Sequence, residues 1–422
     1  MERKLVNKNE KKLIVVDSIN IEDRSGSKAN VALIHNLVAA GFEIMVYHYT
    51  LKNIQLKGVN CVAIPEIKFS PLYILSRIQR VLSRKCNINV APFLEQLFGF
   101  SFTFFNDTNS IVKALLKINF VPDLVLTLSK GGSFRPHYAV LKLPQMHNKW
   151  VAYVHDPYPF HFYPRPYAWF ETSYKSREFF FTQVSEKARF SAFPSQLLLE
   201  WMGNFYPNFM KTGVVIPHQN AKYQIKNIDL PAYFDVSKFN LLHAGNLLNA
   251  RSPKGLIEGL KLFFEKCPSA KNEVRLIMLG SASGYANMLK EYQKSIPELF
   301  VYDGIKPFDE VYNIQKNTAV NIILEAKSEI SPFLPAKFPH CVEANKMILS
   351  LSPYLSEVKR LLGIEYEYWS DVDDIKKIAK LIEKLYGLWK ENPKNLLLNR
   401  SDLEGYLSVD YLKQTIIDLH NN

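Results

Sequence analysis

Four cysteines, Cys61, Cys86, Cys267 and Cys341, are scattered through the chain with no pair at metal-ligand or C-x-x-C spacing. That argues against a zinc module or a disulfide framework, and for a reducing compartment. The stretch Met1 to Glu10 contains no apolar h-region, so a secretory leader is not expected. Long hydrophobic runs are also missing. The most apolar stretch, Val90 to Phe105, is interrupted by Glu95 and is too short to span a bilayer as a helix. Without a G-x-G-x-x-G fingerprint an NAD enzyme is disfavoured. With no helix-turn-helix, zinc or RNP-like signature, so is a nucleic-acid reader. Internal repeats and low-complexity runs do not occur. What remains is a cytoplasmic protein, soluble or peripheral at the inner membrane face.

The chain has 422 residues, too many for one ordinary core, so two domains are expected, and a hydrophobic fraction of 47% can fill both. Lys plus Arg number 52 against 40 for Asp plus Glu, a net charge of +12. Such a balance favours anionic partners: nucleotides, phospholipid headgroups or nucleic acid.

In the first half, Lys12 to Asp17 reads as a buried strand. A loop from Ser18 to Lys28 follows, then a helix carrying Val31, Ile34, Leu37 and Val38 and ended by Gly41. Glu43 to Tyr49 is the next strand. Pro71 to Arg84 reads as an amphipathic helix, with Leu75, Ile78 and Leu82 on one face and Arg77, Arg80 and Arg84 on another. It suits either an anionic lipid surface or a packed helix with a solvated basic face. Pro122 to Leu128, Lys149 to Asp156, Arg189 to Phe193 and Thr212 to Pro217 complete the strands, with a helix from Gln196 to Met202. His155 and Asp156 stand at a strand's carboxyl end, where open α/β sheets bind ligands. His155, Asp156 and His161 do not match a familiar metal-ligand spacing.

The second half alternates more regularly. Its strands are Asn240 to Ala244, Val274 to Leu279, Leu299 to Tyr302, Thr318 to Leu324 and Met347 to Leu351, which argues for a parallel, doubly wound sheet. Ser252 suits an N-cap and Pro253 a first helical position. Gly280 to Gly284 is a small-residue loop where backbone can approach a ligand. Pro335 suits a first helical turn and Asn345 the residue that closes that helix. Free amides around Ala336, with Lys337 beside them, form a site for a diphosphate. Asp371-Val-Asp373 imitates a metal motif, but its place before the helix Ile375 to Leu388 favours helix capping. Leu403 to Leu419 reads as a final helix.

The stretch Leu334-Pro335-Ala336-Lys337, followed by Asn345-Lys346-Met347-Ile348, resembles the donor-site segment of GT-B glycosyltransferases, in particular family 4-like enzymes (glycosyl transferases group 1). Lys254-Gly255 matches that family's Lys-Gly pair, and Thr212 to Pro217 its hinge entry. The resemblance implies an α/β fold of two Rossmann-like domains facing a cleft: residues 1–220 for the acceptor, 236–395 for the nucleotide sugar, and a helix in 400–422 crossing back to the first. It implies a donor site built from Gly245, Asn246, Arg251, Lys254, Gly280, Gly304, Ile305, Leu334, Pro335, Ala336 and Lys337, with Ser25, Gly26 and Ser27 on the acceptor side. His155, oriented by Asp156, would touch the transferred sugar, with Lys254 and Lys337 at the leaving diphosphate. The chain departs from the family at several places, among them His218 for an asparagine after the hinge strand and Asn345 for a glycine. Asn246 replaces an arginine, so Arg251 or Lys337 supplies that charge. His340 stands where the ribose-binding glutamate falls, and Glu329 becomes the first glutamate only if the loop is three residues longer.

The function implied is transfer of a sugar from a UDP- or GDP-linked donor to a saccharide or lipid-linked saccharide, with retention, without metal or cofactor, and with an anionic membrane surface as a further partner. The alternatives are a sugar-nucleotide epimerase, a catalytically degenerate nucleotide-sugar-binding subunit, and a basic nucleic-acid-binding protein.

Overall fold

The computed structural model describes residues 11–21, 25–85, 87, 90–221 and 228–421. Met1 to Glu10, Cys86 and part of the loop from Ser18 to Lys28 lie outside them. The chain divides into two compact units, one holding Met1–Tyr163, Ala168–Gln219 and Ser408–Asn422, the other Pro164–Tyr167 and Asn220–Leu407.

The first unit carries a sheet of strands β1 (Lys11–Val16), β2 (Glu43–His48), β3 (Asn60–Ala63), β4 (Leu124–Leu128), β5 (Trp150–Tyr153), β6 (Phe190–Phe193) and β7 (Gly213–Val215). Their order is β3-β2-β1-β4-β5-β6-β7, with every adjacent pair parallel. Helices α1 (Ser25–Ala39), α2 (Pro71–Lys85), α3 (Ala91–Phe98), α4 (Phe102–Leu115), α5 (Arg135–Leu141), α6 (Tyr174–Lys187), α7 (Gln196–Phe205) and α8 (Phe209–Thr212) make the connections. In β1, Leu13 and Val15 join one core cluster while Ile14 and Val16 join another, so both faces are covered. That is why the strand reads as an unbroken apolar run.

The second unit repeats the plan with β8 (Phe239–Ala244), β9 (Val274–Leu279), β10 (Leu299–Tyr302), β11 (Val320–Leu324), β12 (Ile330–Ser331), β13 (Met347–Leu351), β14 (Leu355–Ser356) and β15 (Trp369–Ser370). The main sheet runs β10-β9-β8-β11-β13-β15, and β12 pairs only with β14. Its helices are α9 (Lys254–Lys266), α10 (Ala286–Ser295), α11 (Phe308–Asn317), α12 (Phe338–Glu343), α13 (Glu357–Leu362), α14 (Ile375–Glu391) and α15 (Ser401–Tyr406). In both sheets the strand order reverses once, between β1 and β4 and between β8 and β11. Such a switch point opens a crevice beyond the strands' carboxyl ends.

Several boundaries differ from expectation. Ser25, Gly26 and Ser27 form the first turn of α1, not a turn before it. β5 stops at Tyr153, so His155 and Asp156 lie beyond it in loop backbone. The short strands β3 and β15 and the helix α6 escaped the sequence because two to four residues show no clear period and the α6 segment carries aromatics on every side. α9 begins at Lys254 with Pro253 at its N-cap, while the Ser252 hydroxyl accepts from the Lys254 amide at 3.3 Å. The helix expected from Pro335 begins only at Phe338 and is six residues long. Asp374, not Asp371 or Asp373, caps α14, its Oδ1 accepting from the Lys377 amide at 3.0 Å. The tail is two helices, α15 and then α16 (Val409–Asn421), whose Leu412, Ile416 and Leu419 pack with Val31, Ile34 and Leu37 of α1.

Candidate functional site

At the second unit's switch point, β8 and β11 end beside one another and deliver His243 and Glu325. Lys337, at the N-cap of α12, reaches back between them. Its Nζ donates to the Ile322 carbonyl at 3.0 Å and lies 3.1 Å from His243 Nδ1. A lysine ammonium has only hydrogens to give, so His243 accepts there and carries its own proton on Nε2. Burial keeps the His243 imidazole well below its usual pKa, with the charges of Lys337 and Arg251 adding to the effect. Burial also lowers Lys337 to about 8, against which the neighbouring Cys341 and Glu325 act and to which Arg251 adds. Glu325, 3% exposed, is pushed up to about 7 by burial, with Ser331, Arg251 and Lys337 pulling the other way. Ser331 lies close enough to act on it, but neither carboxyl oxygen makes a well-aligned hydrogen bond, and the buried Nε of Arg251 has no partner. The result is a charged cluster whose polar atoms are only partly satisfied, the condition under which a buried group is costly unless something binds to it.

Backbone closes on the same place. A Cβ built on Gly245 would come 3.7 Å from Lys337 Nζ, so only a small residue leaves room above the ammonium. Gly280, at φ +132°, approaches closer still: a Cβ there would meet the Gly245 carbonyl oxygen at 2.6 Å. Asn246 is engaged with backbone, its Oδ1 accepting from the Ser281 amide at 2.9 Å, and Asp303 Oδ1 likewise accepts from the Ala282 amide at 2.8 Å. These two side chains hold the loop after β9 in shape. Lys254 is exposed at the start of the 13-residue helix α9. Its neighbour Gly255 serves packing, because a Cβ there would strike the Val372 carbonyl oxygen at 2.1 Å.

The remaining expected donor-side residues stand apart from the cluster. Leu334 is buried with Phe338 and Val342, fixing the turn through Pro335 and Ala336, in which the Phe338 amide donates to the Pro335 carbonyl at 2.8 Å. The expected free helix amides around Ala336 are therefore turn backbone. His340 is 8% exposed, in edge contact with Phe308 at 5.1 Å and Tyr312 at 5.9 Å, and burial lowers it to about 4. Glu329 is exposed, as is Ile305 beside Gly304.

In the first unit the polar centre gathers beyond β4 and β5. Asn30, on α1, donates through Nδ2 to the Ser129 carbonyl at 3.0 Å. That bond turns Oδ1 toward His155 Nε2, 2.8 Å away. His155 therefore carries its proton on Nε2, and its buried Nδ1 has a lone pair with no partner. Burial holds its pKa well below the usual value, with His218 and His137 adding to the effect; the His218 ring is stacked on it at 5.7 Å. Asp156 was the residue expected to orient His155; the hydrogen bond at Nε2 is made with Asn30. Ser27 is fully buried in the first turn of α1, and a Cβ built on Gly26 would come 3.8 Å from the Lys130 and Gly131 backbone. A second network joins Arg135 to Asp107 at 2.8 Å and to Asp17 at 3.5 Å, with Tyr49 donating to Asp107 at 2.8 Å.

His243, Glu325, Asn30 and Arg135 were not singled out in the sequence. Glu325 directly follows an apolar strand, a signal of the same kind that pointed to His155. Nothing local marks Asn30, whose partners are 99 and 125 residues away. Among the described residues, no group of three or more His, Cys, Asp or Glu side chains is arranged to hold a metal ion. No helix of the described residues is long and apolar enough to cross a membrane.

No family model matches the chain, and no curated protein does. Solved structures do. A glycosyltransferase from Rickettsia africae ESF-5 superposes with a TM-score of 0.62 at 11% identity, covering 98% of each chain. The trehalose-6-phosphate synthase OtsA gives 0.65 at 10% identity over 98% of this chain and 99% of its own. HepE from Anabaena, determined in complex with UDP and glucose, gives 0.61 at 10% over 97% and 99%. At such identity the likeness concerns the fold, which is GT-B: two Rossmann-like α/β units in one chain.

Proposed function

We propose that the chain is a hexosyltransferase of polysaccharide assembly, moving a sugar from a UDP- or GDP-linked donor to a saccharide or lipid-linked saccharide at the cytoplasmic membrane face. The observation that carries this reading is Lys337, held at the switch point by His243 and the Ile322 carbonyl with Arg251 close enough to depress its pKa. When the glycosidic bond of a nucleotide sugar breaks, negative charge grows on the leaving diphosphate, and fixed cations in a dry site stabilise it. Lys337 and Arg251 are suited to that task without a metal, and the exposed Lys254 adds positive charge at the start of α9. Gly245, Asn246 and Gly280 let backbone come against the phosphates. Gly304 and Ile305 would meet the base, and Glu329 and His340 would be on the sugar and ribose side. On the first unit, His155 Nδ1 would accept a hydrogen bond from a hydroxyl of the transferred sugar, with Asp156 nearby and Ser25, Gly26 and Ser27 toward the acceptor. Retention of anomeric configuration is part of the proposal. The presence of UDP and glucose in the HepE structure supports the choice of donor.

The test is a thermal-shift panel with UDP, GDP, ADP, CMP and NAD. A nucleotide at about 100 times its Kd stabilises its host by about 2.7 kcal/mol, a rise of a few degrees in a chain of this size. A rise with one nucleoside diphosphate supports the donor site and names its base, whereas no rise with any of them overturns it. One observation favours a second reading, a sugar-nucleotide epimerase or a binding subunit without turnover: His340 is turned into aromatic packing where a glutamate would hold the ribose. Product analysis with donor alone separates the two, since an epimerase alters the sugar with no acceptor present and a binding subunit never consumes it.

A further inference from the structure

A surface helix of a globular protein turns its apolar stripe to the core and its polar face to water. α2 does the reverse. Ile74, Ile78 and Val81, at helical spacings of four and three, are 57%, 50% and 50% exposed. Ser76, on the opposite side, is 1% exposed and its hydroxyl donates to the Tyr73 carbonyl at 2.7 Å. The next helix shares this character. α3 buries none of its residues, and its Phe93 and Leu97 are 68% and 66% exposed. Phe98 of α3 and Phe179 of α6, both exposed, border a hollow of about 360 Å³ whose other walls include Phe100, Tyr138 and Phe180. Phe69, just before α2, is 98% exposed. Scattered exposed apolar residues need no explanation; several on each of two consecutive helices do.

The charges on α2 itself are of one sign. α2 contains Arg77, Arg80, Arg84 and Lys85 and no acidic residue, and Lys68 and Lys175 are exposed nearby in sequence to the apolar positions. The carboxylates closest in sequence are engaged: Glu66 lies 3.7 Å from Arg77, and Glu95 pairs with Arg177 at 3.0 Å. We infer that α2 and α3 form a docking surface for an anionic lipid bilayer, with Ile74, Ile78, Val81, Phe93 and Leu97 entering the interface and the arginines meeting headgroup phosphates. Apolar insertion and basic flanks together are what such a surface needs. A second copy of the chain is the poorer occupant, because a two-fold contact would set the arginines of one α2 against those of the other. This names the surface behind the membrane partner of the proposed function, but it rests on the chemistry of these helices alone.

The test is flotation of the full chain with phosphatidylcholine vesicles and with vesicles containing phosphatidylglycerol, read without donor or acceptor so that it fails independently of the donor-site reading. Binding is expected to the anionic vesicles, weakening with salt. An Ile78→Asp/Val81→Asp variant is expected to bind at least about tenfold less, and Arg77→Gln/Arg84→Gln to lose the preference for anionic lipid. Phe93→Ser/Leu97→Ser on α3 provides a second variant should the first fail to fold, which circular dichroism checks. Unchanged binding in folded variants overturns the inference, as does a wild-type chain that ignores anionic vesicles. A concentration-dependent dimer seen by ultracentrifugation and abolished by Ile78→Asp/Val81→Asp, without vesicle binding, overturns it in favour of self-association.

Discussion

Lys337 and His243 are 94 residues apart and hold one another, Nζ to Nδ1, at 3.1 Å. The bond settles the imidazole's tautomer and, with the Ile322 carbonyl, uses two of the ammonium's donors. A third remains for a ligand. Replacing Lys337 by Ala is expected to weaken UDP or GDP binding by about tenfold to a hundredfold, the range of a charge-assisted hydrogen bond. Isothermal titration calorimetry measures it, and an unchanged Kd would remove Lys337 from the donor site. Lys254→Ala is expected to lower turnover with a working donor and acceptor.

The pH dependence of that binding follows from the same residue. Lys337 titrates near pH 8. A bound diphosphate favours the charged ammonium, so affinity is expected to hold level below about pH 8 and to fall above it. In Lys337→Ala the affinity is expected to lose this inflection. A wild-type affinity that is flat from pH 7 to 9.5 would contradict the assignment.

Glu325 makes a separate statement about stability. Its folded pKa of about 7 lies above the ordinary carboxyl value of 4.5, so the folded chain keeps a proton that the unfolded chain releases between those pH values. Stability from this group is therefore present below pH 4.5 and is lost as pH rises through 7, by up to about 3 kcal/mol. Glu325→Gln is expected to raise the melting temperature at pH 8 while changing it little at pH 4.5. Equal shifts at the two values would show that the carboxyl is not held neutral.

Asn30 determines what His155 can offer. Its carboxamide leaves Nδ1 as an acceptor. In Asn30→Asp a carboxylate would face Nε2 and raise the imidazole pKa by about one to three units. Turnover in the variant is expected to fall toward acid pH, where Nδ1 becomes protonated, by more than in the wild type. Matching pH–rate profiles would mean that His155 accepts nothing from the substrate.

Gly280 lies where two loops meet. A methyl group there would have to displace the Gly245 carbonyl, at a backbone angle side chains rarely adopt. Gly280→Ala is expected to cost about 1–3 kcal/mol in urea unfolding and to weaken nucleotide binding. A variant as stable as the wild type would mean that the loop is looser than its geometry indicates.

What the sequence determined by itself is the alternation of apolar runs with helical periods, and through it the doubly wound class of both units. Each main-sheet strand buried on both faces must be apolar along its length, so runs such as Leu13 to Val16 and Leu276 to Leu279 declare themselves locally. Lys337 was singled out beside an expected helix start and His155 at an expected strand end, places where open sheets of this kind meet ligands. The tertiary structure alone decided their partners. His243, Glu325 and Asn30 carry no local pattern, and their hydrogen bonds and pKa shifts arise when strands distant in sequence end side by side and exclude water. It also decided the sense of α2. An amphipathic period says that a helix has an apolar face, but only packing against the rest of the unit, with Ser76 inside and Ile78 outside, says which face water meets.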